Sequence, residues 1–378
     1  MCGIAGIVNL GHQQPIALDA LKRMVSIQQY RGPDETGAYF DDYIGLAHAR
    51  LSIIDLKDGT QPIHNEDKSL WIIYNGEVFN YPELRQELIK CGHKFYTTSD
   101  TEVILHLYEE KGTNCLNQLN GQFAFAIWNS KKRTLFLARD RVGILPLHYT
   151  IHNQRLYFAS EIKAIFANKE INRSVDLESL DQIFTFWTTL PGRTVFNYIK
   201  ELPPAHYMSV SPHEIKIDKY WDINFSSNTE TLKIKSDDLV NEISETLMDS
   251  VKIRLRADVP VGTYLSGGLD SSALTETVKK NFNNELRSFG VRFENKDYDE
   301  GCFQNEMVDF LKVNHSEIIA SNDAIGENLE NVLWHTEKPL LRTGPIPLYI
   351  LSGLVNQSGY KVVLTGEGAD EIFGGYDI

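Results

Sequence analysis

The sequence is poor in cysteine, with four residues, Cys2, Cys91, Cys115 and Cys302, in 378. None belongs to a C-x-x-C pair, which excludes a zinc knuckle and a thioredoxin-like redox site. So sparse and scattered a set fits a reducing compartment, and the cytoplasm is the expected location. Positive charge is also short. Against 51 Asp and Glu there are 37 Lys and Arg, a formal net charge of −14, which argues against broad nucleic-acid binding. A polyanionic substrate would need a local pocket of amides or basic groups. No apolar run approaches the roughly 20 residues that cross a bilayer, so no membrane association is expected. No basic residue precedes Lys22 and there is no small-residue cleavage pattern, so the N-terminus does not read as a signal peptide. Repeats and low-complexity segments are missing too. What is present is ordinary globular composition, 42% hydrophobic, 11% aromatic and 23% charged, in a length suited to two or three domains.

Short apolar runs broken by Gly, Asn and Asp predict strands at 3–9, 44–52, 70–74, 123–128, 134–138 and 156–159. Helical spacing lies between them at 18–29, 82–90 and 101–111. Pro82 suits a first helical turn, and Ser99-Asp100 suits an N-cap. Strands and helices in this order predict a layered α+β or α/β domain. The polar, breaker-rich Phe225-Ser226-Ser227-Asn228-Thr229 predicts a linker. We place the first domain at 1–211, the linker at 212–238 and the second domain at 239–378. In the second, a long helix (239–257) precedes alternating strands and helices at 261–265, 271–280, 287–293, 300–312, 347–356 and 361–365. That alternation predicts a doubly wound parallel sheet. Because the sequence stops just after Gly374-Gly375-Tyr376, where a helix is expected to continue, this domain is expected to be incomplete.

Chemistry is suggested first at the N-terminus. Met1 precedes a small residue, so its removal would leave Cys2 with both a thiol and a free α-amine. An α-amine titrates at about 7.7–8.0, close enough to neutrality to act as base for the thiol. Arg31-Gly32-Pro33-Asp34 is a turn sequence suited to a loop over a pocket. Arg50 follows an apolar run and could hold a carboxylate in two hydrogen bonds. Asn75-Gly76-Glu77 follows the run 70–74, where an Asn amide and a Gly N–H are the donors an oxyanion hole needs. Asp100 could bind an α-amino group.

Taken singly, these residues read as a turn, an ion pair and a helix cap. Together, the ordered segments MCGIAG, RGPD, AHARLSIIDL, YNGEVFN, SDTEV, LNGQFAFAIW and LARDRVGILPLHY resemble the glutaminase domain of class II glutamine amidotransferases. That domain is an N-terminal-nucleophile αββα sandwich. The resemblance implies that Cys2 attacks the carboxamide of glutamine and that Asn75 and Gly76 stabilise the oxyanion. It implies that Arg50 binds the α-carboxylate, that Asp100 with Glu77 binds the α-amine, and that ammonia is released.

A second site is suggested by Leu265-Ser266-Gly267-Gly268-Leu269-Asp270-Ser271-Ser272, which follows a strand and opens a helix. Two glycines permit close backbone approach, and a helix N-terminus favours an anion. Asp270 could take Mg²⁺, which prefers carboxylate and phosphate oxygens. The Gly-Lys-Ser/Thr of a Walker A loop is missing. Thr365-Gly366-Glu367-Gly368-Ala369-Asp370-Glu371 ends another strand and puts three carboxylates within five residues. SGGLDSS resembles the pyrophosphate loop of ATP pyrophosphatases. With TGEGADEIFGGY behind a class II glutaminase domain, the chain resembles the glutamine-hydrolysing asparagine synthetase family.

That resemblance implies a ligase of asparagine biosynthesis that uses glutamine, aspartate and ATP with Mg²⁺. Aspartate would be activated as β-aspartyl-AMP, and ammonia would reach it through an internal tunnel. A homodimer is also implied. Ser266, Gly267, Gly268, Asp270, Ser271 and Ser272 would hold pyrophosphate and Mg²⁺, with Asp370 as a second Mg²⁺ ligand. Leu265, Val291, Thr365 and Gly366 would line the adenosine site. Glu367 would assist ammonia attack, beside Glu371. Thr365 stands where many members have Ser, and a hydroxyl is kept. Residues 337–345 depart from the family pattern, which leaves a different carboxylate acceptor open beside aspartate.

Overall fold

The first strand shows how the N-terminal part of this computed structural model is layered. In β1 (Gly3–Asn9), Ile4 and Val8 enter one core with Ile44, Leu46, Ile73 and Trp128, while Ala5 and Ile7 enter another with Leu21, Met24, Tyr157 and Ile165. Successive side chains of a strand point to opposite faces, so β1 is covered on both. The structure describes residues 1–11, 15–224, 235–283 and 285–376. The chain forms two units, Met1–Ser227 and Asn228–Ile378.

In the first unit β1 is followed by α1 (Leu18–Ser26), β2 (Glu35–Phe40), β3 (Ile44–Arg50), β4 (Ile63–His64), β5 (Leu70–Val78), α2 (Tyr81–Lys90) and α3 (Asp100–Lys111). Then come β6 (Gly121–Asn129), β7 (Thr134–Arg139), β8 (His148–His152), β9 (Arg155–Ala159), α4 (Ile162–Ile165), α5 (Leu177–Phe186), β10 (Lys200–Glu201), β11 (His206–Val210) and β12 (Ile215–Lys219). These strands make two six-stranded antiparallel sheets, ordered β10-β8-β9-β1-β3-β2 and β12-β11-β7-β6-β5-β4. Apolar residues of α1 and α4 cover the outer face of the first sheet, and those of α2 and α3 cover the outer face of the second. Between the sheets lies the core that holds Ile4, Ile73 and Trp128. The result is the αββα sandwich of the N-terminal-nucleophile fold.

The second unit has α6 (Ser236–Arg254), β13 (Val261–Tyr264), α7 (Leu269–Asn281), β14 (Arg287–Phe293), α8 (Gly301–Leu311), β15 (Asn314–Ala320), α9 (Asn322–Thr336), α10 (Pro345–Gln357), β16 (Val362–Leu364) and α11 (Ala369–Phe373). Its four strands are parallel in the order β15-β14-β13-β16. Val251 of α6, Val278 of α7 and Leu311 of α8 share one cluster, while Leu351 and Val355 of α10 pack with Phe289 and Val363 in another. The sheet is doubly wound. Chain order runs outward from β13 to β15 and then returns to β16 on β13's other side, so the order reverses between β13 and β16. In such sheets ligands bind beyond the carboxyl ends of the strands at this point.

Strands β2, β8 and β11 and helices α4 and α5 also form where no element is expected, and three further details differ from the sequence reading. The run expected at 70–74 continues to Val78, so Asn75-Gly76-Glu77 lies inside β5, paired with Ala124, Phe123 and Gln122 of β6. A Cβ on Gly76 would overlap the Gln122 carbonyl oxygen, so this strand needs glycine for close approach rather than for a turn. The stretch 212–238 includes β12, paired from His206↔Lys219 to Val210↔Ile215, and the first turn of α6. Its Ile-Lys-Ile-Asp-Lys sequence is that of a charged edge strand, which periodicity does not separate from a loop. Phe225–Thr229 lies outside the described residues. Finally, β15 and α9 fall where no element is expected. Most of their side chains are exposed, so they carry little apolar pattern.

Candidate active site

In the first unit Cys2 stands just before β1, with the parity of Ile4 and Val8, and so faces the space between the sheets. Its carbonyl accepts from Arg31 Nε at 2.9 Å, and Arg31 Nη1 is paired with Glu161 at 3.0 Å. Thus Arg31-Gly32-Pro33-Asp34 does not cover the pocket. It anchors the backbone of Cys2, while Asp34 accepts from the Ser52 N–H at 2.7 Å. The Leu51 N–H donates to Cys2 Sγ at 3.3 Å, which favours a thiolate. Burial pushes the thiol up; the N-terminal charge, the Leu51 N–H and Arg50 pull it back without cancelling the rise. The α-amine of Met1 is lowered from 8.0 to about 6, chiefly by loss of hydration.

Asn75 has the same parity as Ile73 and also faces between the sheets. It is fully buried, and neither its Nδ2 nor its Oδ1 has a hydrogen-bond partner. A buried polar group left unpaired costs about 1–3 kcal/mol, so this amide needs an explanation that the fold alone does not supply. Next to it His48 Nε2 meets the Tyr74 carbonyl at 3.0 Å and ties the two sheets together. Burial holds that imidazole at about 3, so it is neutral and donates.

The remaining predicted residues line the same cavity of about 570 Å³: Arg50, Gly76, Glu77 and Asp100, with Cys2 and Asn75. Arg50 Nη1 is paired with Glu35 at 2.8 Å, and Nη2 donates to the carbonyls of Ile54 (3.1 Å) and Asp55. Burial would raise the Glu35 carboxyl, but hydrogen bonds from Arg50 and Thr60 outweigh it and hold it below its usual range. The N-cap of α3 is Ser99, which accepts from the Thr101 N–H. Asp100 is left to accept from Tyr74 Oη at 2.9 Å and from the Val78 N–H at 3.0 Å. Burial raises its carboxyl despite these bonds. Sequence reasoning missed Glu35, Gln61 and Tyr74. Gln61 accepts from the Tyr74 N–H at 2.7 Å and donates to Thr101 at 3.2 Å, and no motif marks it.

In the second unit a cleft of about 950 Å³ opens beyond β13 and β16. Leu265, Ser266, Gly268, Asp270, Ser271, Val291, Thr365, Gly366, Glu367, Asp370 and Glu371 all line it. The loop after β13 is held by its serines. Ser266 and Ser271 hydroxyls lie 2.9 Å apart, and Ser271 donates to the Gly268 carbonyl at 3.2 Å. Gly267 and Ser272 are not in the lining. Gly267 has φ +89°, and a Cβ there would come within 2.7 Å of the Gln304 N–H nitrogen, so its role is to let the loop turn against α8. The Ser272 hydroxyl is buried without a partner. A Cβ on Gly366 would sit 3.0 Å from that of Asp270, so the two loops meet. The all-oxygen donor set of Asp270, Glu367 and Asp370 suits Mg²⁺. Phe289, Leu348 and Leu351, apolar wall residues of the cleft, were not foreseen.

Fold and site define a class, an N-terminal-nucleophile amidotransferase joined in one chain to a doubly wound α/β unit. A family model described as a glutamine amidotransferase domain matches residues 1–221, and one described as asparagine synthase matches 242–378. Over its whole length the chain is 38% identical to asparagine synthetase (glutamine-hydrolyzing) 1 of Bacillus subtilis, covering 59% of that protein. It is 33% identical to a putative asparagine synthetase (glutamine-hydrolyzing) 2 of Methanocaldococcus jannaschii, covering 76% of it. It is also 34% identical to the amidase chry2 of Gibberella zeae, covering 59%. The chain belongs to the glutamine-hydrolysing asparagine synthetase family. It spans 59% and 63% of the length of two Bacillus subtilis members. Among the described residues no helix is long and apolar enough to cross a membrane.

Proposed function

We propose that this chain carries the glutaminase and aspartate-activating chemistry of a glutamine-dependent asparagine synthetase. The observation that supports it most is the buried, unpartnered Asn75 amide in one pocket with a Cys2 sulfur that already accepts from the Leu51 N–H. With Met1 removed, the Cys2 amine takes the thiol proton and Sγ attacks the glutamine Cδ. Electrons move to the amide oxygen, which Asn75 Nδ2 and the Gly76 N–H stabilise. The Cys2 ammonium returns that proton to the leaving nitrogen, ammonia departs as the γ-glutamyl thioester forms, and water cleaves it to glutamate and free thiol. Arg50 orients the substrate carboxylate, and Asp100 with Glu77 its amine.

In the second unit a β-carboxylate oxygen of aspartate attacks the α-phosphorus of ATP and pyrophosphate leaves. Ammonia then attacks the acyl carbon of the resulting β-aspartyl-AMP and AMP leaves, giving asparagine. Ser266, Gly267, Gly268, Asp270, Ser271 and Ser272 cradle the phosphates. Leu265, Val291, Thr365 and Gly366 take the adenosine, and Glu367 receives a proton from the attacking ammonia. Bound at Asp270 and Asp370, Mg²⁺ would neutralise phosphate charge.

The test is a product assay with ATP, Mg²⁺, aspartate and glutamine, following AMP, glutamate and asparagine together. All three should rise. In Cys2→Ala asparagine should vanish with glutamine and return with added ammonia. Glutamate without aspartate-dependent AMP would instead favour a second reading, amidation of another carboxylate. The match to an amidase and the departure at 337–345 support that reading.

A further expected outcome concerns the nucleophile. Intact-mass measurement of active protein should show loss of Met1. Full glutaminase activity from protein that retains Met1 would rule out the amine as base.

A further inference from the structure

Four side chains of the first unit, none of them lining its cavity, are arranged as no hydrogen bond among them explains. Glu66 lies in the turn after β4, His93 between α2 and α3, and His106 and Glu109 three residues apart on α3. One ligand atom of each lies within 4.8 Å of all the others. His93 Nδ1 is 3.5 Å from Glu66 Oε1 and 4.0 Å from Glu109 Oε2. His106 Nδ1 is 3.7 Å from Glu66 Oε2 and 3.6 Å from Glu109 Oε2. None of these four pairs is a hydrogen bond, and three of them are longer than 3.5 Å. Around a tetrahedral ion with bonds of about 2.0 Å, neighbouring ligand atoms stand roughly 3.3 Å apart, so the four pairs would close by roughly 0.2–0.7 Å and the widest by up to about 1.5 Å.

The groups behind these four fix which imidazole nitrogen faces inward. His93 Nε2 is 3.0 Å from Glu110 Oε1, and His106 Nε2 is 3.4 Å from Glu102 Oε1. A carboxylate accepts, so each Nε2 carries a proton, and in the neutral imidazole Nδ1 then offers its lone pair to the cluster. Glu102 is itself held by the backbone N–H groups of Tyr96 and Thr97 and by the Thr97 hydroxyl. On the other side, Asn65 Nδ2 occupies Glu109 Oε1 at 3.1 Å and leaves Oε2 for the centre, while the Lys94 N–H orients Glu66. His106 is completely buried, and its Nδ1 has no partner. Glu66 and Glu109 are exposed, which leaves an entry path.

We propose that Glu66, His93, His106 and Glu109 form a site for one divalent transition-metal ion of zinc type, with two imidazole nitrogens and two carboxylate oxygens as ligands. Carboxylates behind metal-bound imidazoles are the usual outer support of such sites. Sequence spacing does not betray it, because three separate segments supply the ligands. An ion here would pin α3, whose first residue is Asp100, against the turn at Glu66. It is a structural ion, distinct from Mg²⁺ in the other unit.

The test is a Zn²⁺ titration of chelator-treated protein carrying Cys2→Ala, so that the thiol cannot compete, read by competition with a chromophoric chelator. One tightly bound equivalent is expected, and X-ray absorption should show nitrogen and oxygen at about 2.0 Å with no sulfur near 2.3 Å. The double variant Glu66→Gln/Glu109→Gln should lose that equivalent. Glu110→Gln, which touches only the outer support, should weaken it by roughly 10–100-fold and keep the fold even if the double variant does not. No tight equivalent, a sulfur shell, or unchanged affinity in Glu110→Gln would overturn the proposal.

Discussion

Replacing Asn75 with alanine is expected to cut glutamine hydrolysis by about 10²–10³-fold, the usual cost of one oxyanion donor, without lowering the melting temperature. The second half of that outcome separates it from ordinary core damage. A buried Asn normally contributes hydrogen bonds that alanine loses, whereas both polar atoms of Asn75 are unpartnered in the free protein. Alanine removes an unsatisfied group whose burial costs about 1–3 kcal/mol, which offsets the small cavity it leaves. Glutamate release, a thermal melt and ammonia-dependent AMP formation should be measured on one preparation. Activity should fall in the first alone. Equal loss of glutamine- and ammonia-dependent turnover, or a clear drop in melting temperature, would assign Asn75 a structural role instead.

Replacing Asp270 with asparagine should have the complementary effect. Aspartate-dependent AMP formation should fall by at least about 10²-fold with either nitrogen source, while glutamate release changes by less than about twofold. Asparagine keeps the shape against the Gly366 loop, where space is tight, but supplies no charge for Mg²⁺. Metal-assisted charge stabilisation contributes several kcal/mol, and each 1.4 kcal/mol is tenfold in rate. Raising the Mg²⁺ concentration should recover part of the loss. A variant with normal AMP formation would move the metal to the Glu367–Glu371 loop. Loss of both activities would mean that the change had spread beyond the second unit.

Much of the fold was legible in particular stretches of sequence. The apolar run from Gly3 to Asn9 predicts a strand, and β1 sits inside the first sheet between β9 and β3. The strand-loop-helix order around Ser266–Ser272 predicts the parallel sheet and its cleft. Less legible was the edge. β12 and β15 are edge strands that bury little, so their periodicity is weak. β5 was cut short at Tyr74 because Asn and Gly read as a turn. Only pairing with β6 and the contact at Gln122 show why they extend a strand.

Of the candidate sites, the residues that meet were identifiable because each lies in a motif: Cys2 at the terminus, Asn75 in β5, Asp100 opening α3, Asp270 opening α7 and Glu367 after β16. Their surroundings were not. Taken singly Arg50 read as an exposed ion pair, yet it is buried, and Glu35 pairs with it from β2 across the pair Glu35↔Arg50. Asp100 looked like a cap, yet Ser99 takes that role. The sequence by itself determined the reactive residue types and the local geometry that presents them, because periodicity, glycine content and helix starts act within a few residues. The tertiary structure alone decided charge, hydration and clustering: the orphaned Asn75 amide, the neutral His48, and Glu66 brought to His93 and His106. Those depend on which faces of separate strands and helices are pressed together, and apolar burial, which sets that packing, carries no instruction about the polar groups that travel with it.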